Sequence, residues 1–129
     1  MSSEQSYRLR FDDHGDHLCV ELSGPGDSLE TSMIYWRQIA DECERRGTRA
    51  LLVLDRFGGE PLAPHEMDQV IHVMRDSYMQ HVRVAYCKLN AAHLPQAEYG
   101  ELHAREVGYN VRVFGDENEA QLWLRYGED

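Results

Sequence analysis

The chain has 129 residues, enough for one domain that buries roughly two-thirds of its unfolded surface without metal or disulfide support. Its formal net charge of -10 repels a phosphate backbone, which argues against nucleic acid as a partner. No apolar run approaches the ~20 residues of a membrane span, so membrane insertion is not expected either.

Met1 to Ser6 has no basic region and no apolar run. It reads as a disordered N-terminal tail (1–6) without a secretory signal, ahead of a single domain over 7–127. Tyr7, Leu9 and Phe11 alternate with Arg8 and Arg10, and Leu18, Val20 and Leu22 alternate with Cys19 and Glu21. With His14-Gly15-Asp16 between them, the two runs predict a hairpin. Ser23-Gly24-Pro25-Gly26 breaks the second strand, and Asp27, with Glu30 three residues on, is placed to cap a long helix. Leu29, Met33, Trp36, Ala40 and Cys43 form its apolar stripe, and Gly47 is its stop.

Ala50 to Leu54 is an unbroken apolar run, as expected of a central strand covered on both faces. A loop follows, with Gly58, Gly59 and Pro61, and Pro64 suits the first position of the next helix. Met67, Val70, Ile71, Met74 and Tyr78 carry that helix's period. Val82, Val84 and Tyr86 alternate with Arg83, Ala85 and Cys87 to give a fourth strand. Pro95 opens a helix of poor periodicity that runs to Val107 before Gly108. Val111 to Phe114 is a fifth strand. Asp116 and Glu119 are placed to cap a last helix bearing Ala120, Trp123 and Leu124 on one face, with Gly127 as a left-handed stop.

A hairpin feeding successive strand–helix units predicts an α/β fold: a mostly parallel five-stranded sheet with an antiparallel N-terminal strand and four helices. Only the third strand is apolar throughout, and the others place Arg8, Arg10, Glu21, Arg83 and Arg112 on alternate positions. The helices should therefore lie mainly on one face, leaving much of the other wet. Trp123 should be a core anchor.

The element order from Tyr7 to Tyr126 resembles the SpoIIAA-like branch of the STAS superfamily, a family also likened to SEC14 proteins. The resemblance rests on the apolar strand ending in Asp55, the Arg83-Val84-Ala85 strand, and the closing Phe114, Ala120, Trp123 and Leu124. It implies a bacterial regulatory domain that binds a protein partner. Members that antagonise anti-sigma factors carry a phosphorylatable Ser or Thr where the third strand meets the second helix. Here that junction reads Leu54-Asp55-Arg56-Phe57-Gly58-Gly59-Glu60, and no Ser or Thr occurs between Thr48 and Ser77. The kinase-controlled switch is therefore not expected.

Catalytic and metal chemistry are weakly signalled. His65, Asp68 and His72 share a helical face, but the helical zinc pattern needs two His four apart with a Glu between them. The apolar stripe turns these histidines to solvent, so neither a metal nor another cofactor is expected. Cys87 and His93 are near in sequence, yet a Cys ending a strand is usually core. Cys19, Cys43 and Cys87 read as reduced thiols of a cytoplasmic protein.

Two candidate binding features remain. One is the loop at the carboxyl end of the central strand, with Asp55, Arg56, Phe57, Gly58 and Gly59, where open parallel sheets place ligands. Phe57 either presents an exposed contact or folds back on the core. The other is Arg8, Arg10, Arg83 and Arg112 on the outer sheet face, ready for an acidic partner, for a homodimer contact or simply for salt bridges. The leading expectation is a non-catalytic interaction domain, with a carrier of a small apolar ligand or lipid as the alternative and an enzyme third. A deep apolar pocket would favour the carrier, and a flat exposed patch around Phe57 would favour the interaction domain.

Overall fold

The computed structural model describes residues 7–26 and 28–127, so the expected tail and Asp27 lie outside the described residues. The elements are β1 (Arg8–Asp13), β2 (Leu18–Gly24), α1 (Leu29–Arg46), β3 (Ala50–Phe57), α2 (Pro64–Val73), β4 (Arg83–Lys88), α3 (Leu94–Val107), β5 (Asn110–Phe114) and α4 (Glu117–Tyr126). Short 3-10 turns at Tyr78–His81 and Ala91–His93 precede β4 and α3. The five strands lie side by side in chain order, β1 antiparallel to β2 and the others parallel. The fold is α/β, as expected.

That order determines where the helices go. A right-handed crossover that always steps to the next strand in one direction must put its helix on the same face each time. The three crossover helices, α1, α2 and α3, accordingly cover one face. There Leu18, Val20, Leu22, Leu51, Val53 and Val84 form the main core with Tyr35, Ile39 and Cys43 of α1. α4 follows the edge strand β5. It folds back beneath β3 and β4, where Ala120, Trp123 and Leu124 pack on Cys19, Leu52, Leu54, Ala85 and Cys87. β3 is buried on both faces from Leu51 to Asp55, hence its unbroken apolar run. The outer face is wet over β1, with Arg8, Arg10 and Asp12 exposed, but covered by α4 over Cys19 of β2 and over part of β3 and β4.

Local details follow the sequence with some corrections. Ser28 caps α1, its Oγ accepting from Thr31 N–H at 3.1 Å. Gly47 ends α1 at φ 68, the left-handed region where glycine is favoured. Asp116 occupies the cap position of α4, but its side chain makes no capping bond. Gly127 differs from expectation, being extended with φ -73 rather than left-handed. Its need for glycine is steric, since a Cβ there would lie 2.2 Å from Trp123 Cδ1. The strand expected to end near Leu54 runs on to Phe57, which pairs with Gly24 of β2.

Candidate functional site

The inward-facing positions of β3 run Leu51, Val53, Asp55 and Phe57, and those of β4 run Val84, Tyr86 and Lys88. Parallel pairing sets Asp55 directly beside Lys88 and Val53 beside Tyr86. Alternation, which fills these positions with apolar side chains deeper in the sheet, thus delivers a carboxylate and an ammonium to the same face at the carboxyl ends of two central strands. Asp55 is 2% exposed and Lys88 8%. Charged side chains this buried persist only when paired and hydrogen-bonded.

Asp55 meets that condition. Its Oδ2 accepts from Lys88 Nζ at 2.9 Å and from the Tyr86 hydroxyl, and its Oδ1 accepts from Phe57 N–H at 3.0 Å. Lys88 is less completely used. An ammonium has three donors, and among the described residues Asp55 is its one hydrogen-bond partner.

Asp55, Tyr86 and Lys88 line one end of a pocket of about 190 Å³ that lies between the sheet, α1, α2 and α3 and is partly open to solvent. At the other end the walls are apolar: Val70, Ile71 and Met74 of α2 face Val84 of β4 and Val111 of β5. At ~3.3 Å per residue, the step from Val84 to Lys88 spans about 13 Å, so the apolar depth and the ion pair belong to one elongated space. Glu60, His93 and Gln96 complete the polar end. Gln96 Oε1 is buried and accepts no hydrogen bond among the described residues.

The space exists because of α3. Its inward positions are Ala97, Gly100 and Ala104, at i, i+3 and i+7. A Cβ on Gly100 would sit 3.3 Å from Met67 Sδ, so glycine also allows α3 to approach α2 closely. The weak periodicity of this helix reflects an inward face of small residues rather than the absence of one. α2 and α3 are joined nearer the surface by Asp68, which accepts from the Tyr99 hydroxyl at 3.3 Å and lies 3.6 Å from His103 Nε2.

The loop residues divide. Phe57 is 4% exposed, with its ring centroid 5.6 Å from that of Tyr35, so it folds back on the core and lines the cavity. Gly58 also lines it. Arg56 points to the opposite face and pairs with Glu21. Gly59 has φ 72, and a Cβ there would meet Pro25 O at 2.7 Å, so glycine is required where the loop passes the end of β2.

The four arginines do not form one patch. Arg8 and Arg10 lie on edge strand β1 and Arg112 on the opposite edge strand β5, four strand spacings of about 4.8 Å away. Arg10 is 4.0 Å from Glu21 and 3.8 Å from Asp12. Arg83 lies under α4, where it donates to the carbonyl oxygens of Trp123, Leu124 and Gly127 at 2.8, 3.3 and 2.6 Å. Its guanidinium also sits 4.3 Å from the Trp123 ring centroid. Arg83 is therefore a helix C-cap, satisfying carbonyls that a helix end leaves unpaired.

Cys87 faces α4 while His93 lines the cavity on the other side of the sheet, so the two do not meet. Burial pushes the Cys87 and Cys19 thiols up to about 11 and Cys43 up to about 12, against the reactivity of a nucleophile. His65 and His72 are exposed on α2. Among the described residues no group of three or more His, Cys, Asp or Glu is placed to hold a metal ion, and no helix is long and apolar enough to cross a membrane.

Lys88, Tyr86 and Gln96 are the site residues that sequence reasoning missed. Their signal was present: Lys88 continues the inward parity of Val84 and Tyr86, opposite an Asp that ends the neighbouring apolar strand. Neither the models of known protein families nor the curated proteins compared with this chain match it.

Proposed function

We propose that this protein is a SpoIIAA-like domain that binds a small, largely apolar molecule between its sheet and helices α2 and α3. The observation that carries the reading is the 190 Å³ apolar cavity with a buried ion pair at one end. A pocket with an apolar body and few polar groups is the usual form of a ligand site. The size suits a compact ligand, because an engineered cavity of about 150 Å³ already takes up benzene. A long-chain lipid would exceed it. The interaction-domain reading loses its intended contact, since Phe57 is buried and the arginines are dispersed. Binding here requires no phosphorylation switch and fits a cytoplasmic regulator that senses or carries a metabolite.

The test is a methyl NMR titration with benzene-sized fragments, following the methionines of the cavity wall, Met67, Met74 and Met79. Saturable shifts at these methyls are expected, with Met33 unmoved. Shifts that stay linear with fragment concentration, or that are equally large at Met33, would refute the reading.

A further inference from the structure

We infer that the pocket selects an uncharged ligand with a carboxamide-like head, a carbonyl for Lys88 and an N–H for Gln96, and that it rejects carboxylates of the same shape. The inference rests on the proposed ligand-binding reading and adds the chemistry of the head group.

Three observations carry it. First, Lys88 Nζ has one partner among the described residues, Asp55 Oδ2 at 2.9 Å, and two donors left in a cavity wall. A ligand acceptor there would satisfy them with a charge-assisted bond. Second, the charge balance disfavours an anion. Asp55 and Lys88 already cancel, and of the other titratable side chains lining the pocket Glu60 and Glu101 are acids and His93 is basic, so no fixed positive charge is left for a ligand. A carboxylate bound against the apolar walls would lose water without a free cation to pair with. Third, Gln96 Oε1 is buried without a donor on a side chain that lines the same cavity. Such an orphaned acceptor is costly unless something supplies a hydrogen. A carboxamide, whose acceptor oxygen and donor nitrogen share one carbon, supplies both kinds of group. The cavity behind it accommodates roughly a six-membered ring or an equivalent short chain.

The experiment compares benzamide, benzoate and cumene, which share a ring and a three-atom head. Binding is measured by the same methyl titration at about pH 8, where benzoate is ionised. Benzamide should bind at least about tenfold tighter than benzoate. Gln96→Leu should weaken benzamide about fivefold and leave cumene unchanged. Replacing the ion pair as a unit, Asp55→Leu with Lys88→Met, should weaken benzamide by about tenfold and leave cumene equal or tighter. If that double variant fails to fold, the benzamide-to-benzoate ratio in the unmodified protein still decides. Benzoate binding as tightly as benzamide would overturn the inference, as would full benzamide affinity in both variants. Cumene binding without benzamide would overturn it too while sparing the ligand-pocket reading. Failure of all three probes to bind would remove the pocket reading itself.

Discussion

The Lys88 amine is held where few amines are found, and removing it alone should be costly. Lys88→Met leaves the Asp55 carboxylate buried beside apolar walls, a change that typically costs about 3–5 kcal/mol. The paired replacement, Asp55→Leu with Lys88→Met, should recover most of that loss, because well-packed apolar residues often substitute for a buried ion pair without penalty. Urea unfolding of the single and double variants checks this, and a single variant as stable as its parent would contradict the described burial. Gly127 offers a second residue-scale case. Gly127→Ala drives a methyl into the Trp123 indole, 2.2 Å from Cδ1, with no left-handed strain involved. It should lower stability by about 1–3 kcal/mol, as overpacking does. Had the glycine been needed for its backbone alone, its extended φ of -73 would make alanine harmless.

At the level of elements, α3 and α4 explain different things. α3 makes room: its inward Ala97, Gly100 and Ala104 are too small to fill the space before β4 and β5. Ala97→Leu should therefore be tolerated, with a melting temperature within a few degrees of the parent, yet abolish the methionine shifts on fragment addition. Retained shifts would mean that the cavity is not where probes bind. α4 seals the other face. Truncating its anchor, Trp123→Ala, should cost about 3–5 kcal/mol and loosen that face first. Under mild alkylation Cys19 and Cys87, which pack beneath α4, should then label before Cys43, which lies under α1. Simultaneous labelling of all three, followed by peptide mapping, would argue that the sheet opens as one unit.

These two helices also mark how far the sequence could be read. Periodicity and turn residues carried the element order, the N-terminal hairpin and the burial of Trp123, because each depends on neighbours within a few residues. The side taken by α4 depends on its packing against β3 and β4, strands distant from it in sequence. The cavity depends on missing side-chain volume, which a search for apolar stripes does not register. The partnership of Asp55 with Lys88 crosses thirty-three positions and becomes visible only when β3 and β4 are aligned in register.

For the whole molecule, alkaline pH should be more damaging than its ordinary composition suggests. Burial pushes Cys19 and Cys87 to about 11 and Cys43 to about 12, from 9.0, and Tyr109 to about 12, from 10.0. The Tyr109 hydroxyl is additionally spent on the Ile71 carbonyl at 3.0 Å. Each folded value is raised, so the folded state keeps protons that the unfolded chain surrenders near 9 or 10. The stability these groups contribute is complete below about pH 9 and is lost as pH climbs through 11 to 12. Melting temperatures should be level from about pH 7 to 9 and fall steeply above. Triple replacement of the cysteines by alanine or valine should shift that fall upward, toward the tyrosine range. A flat profile to about pH 11 would contradict the burial of the thiols.

The strand order also governs how the chain can assemble as it is synthesised. Because every strand pairs with its sequence neighbour, each new strand–helix unit can dock on the one already made, and the loops to be closed stay short. The nascent hairpin can template β3, β3 can template β4, and β4 can template β5, in the direction of translation. One exception stands at the very end. The shield for Leu52, Leu54, Ala85 and Cys87 is α4, so this apolar strip stays bare on the ribosome until the final turn of helix has emerged and Arg83 has carbonyls to hold. A chain stalled before α4 would expose this apolar strip of β3 and β4.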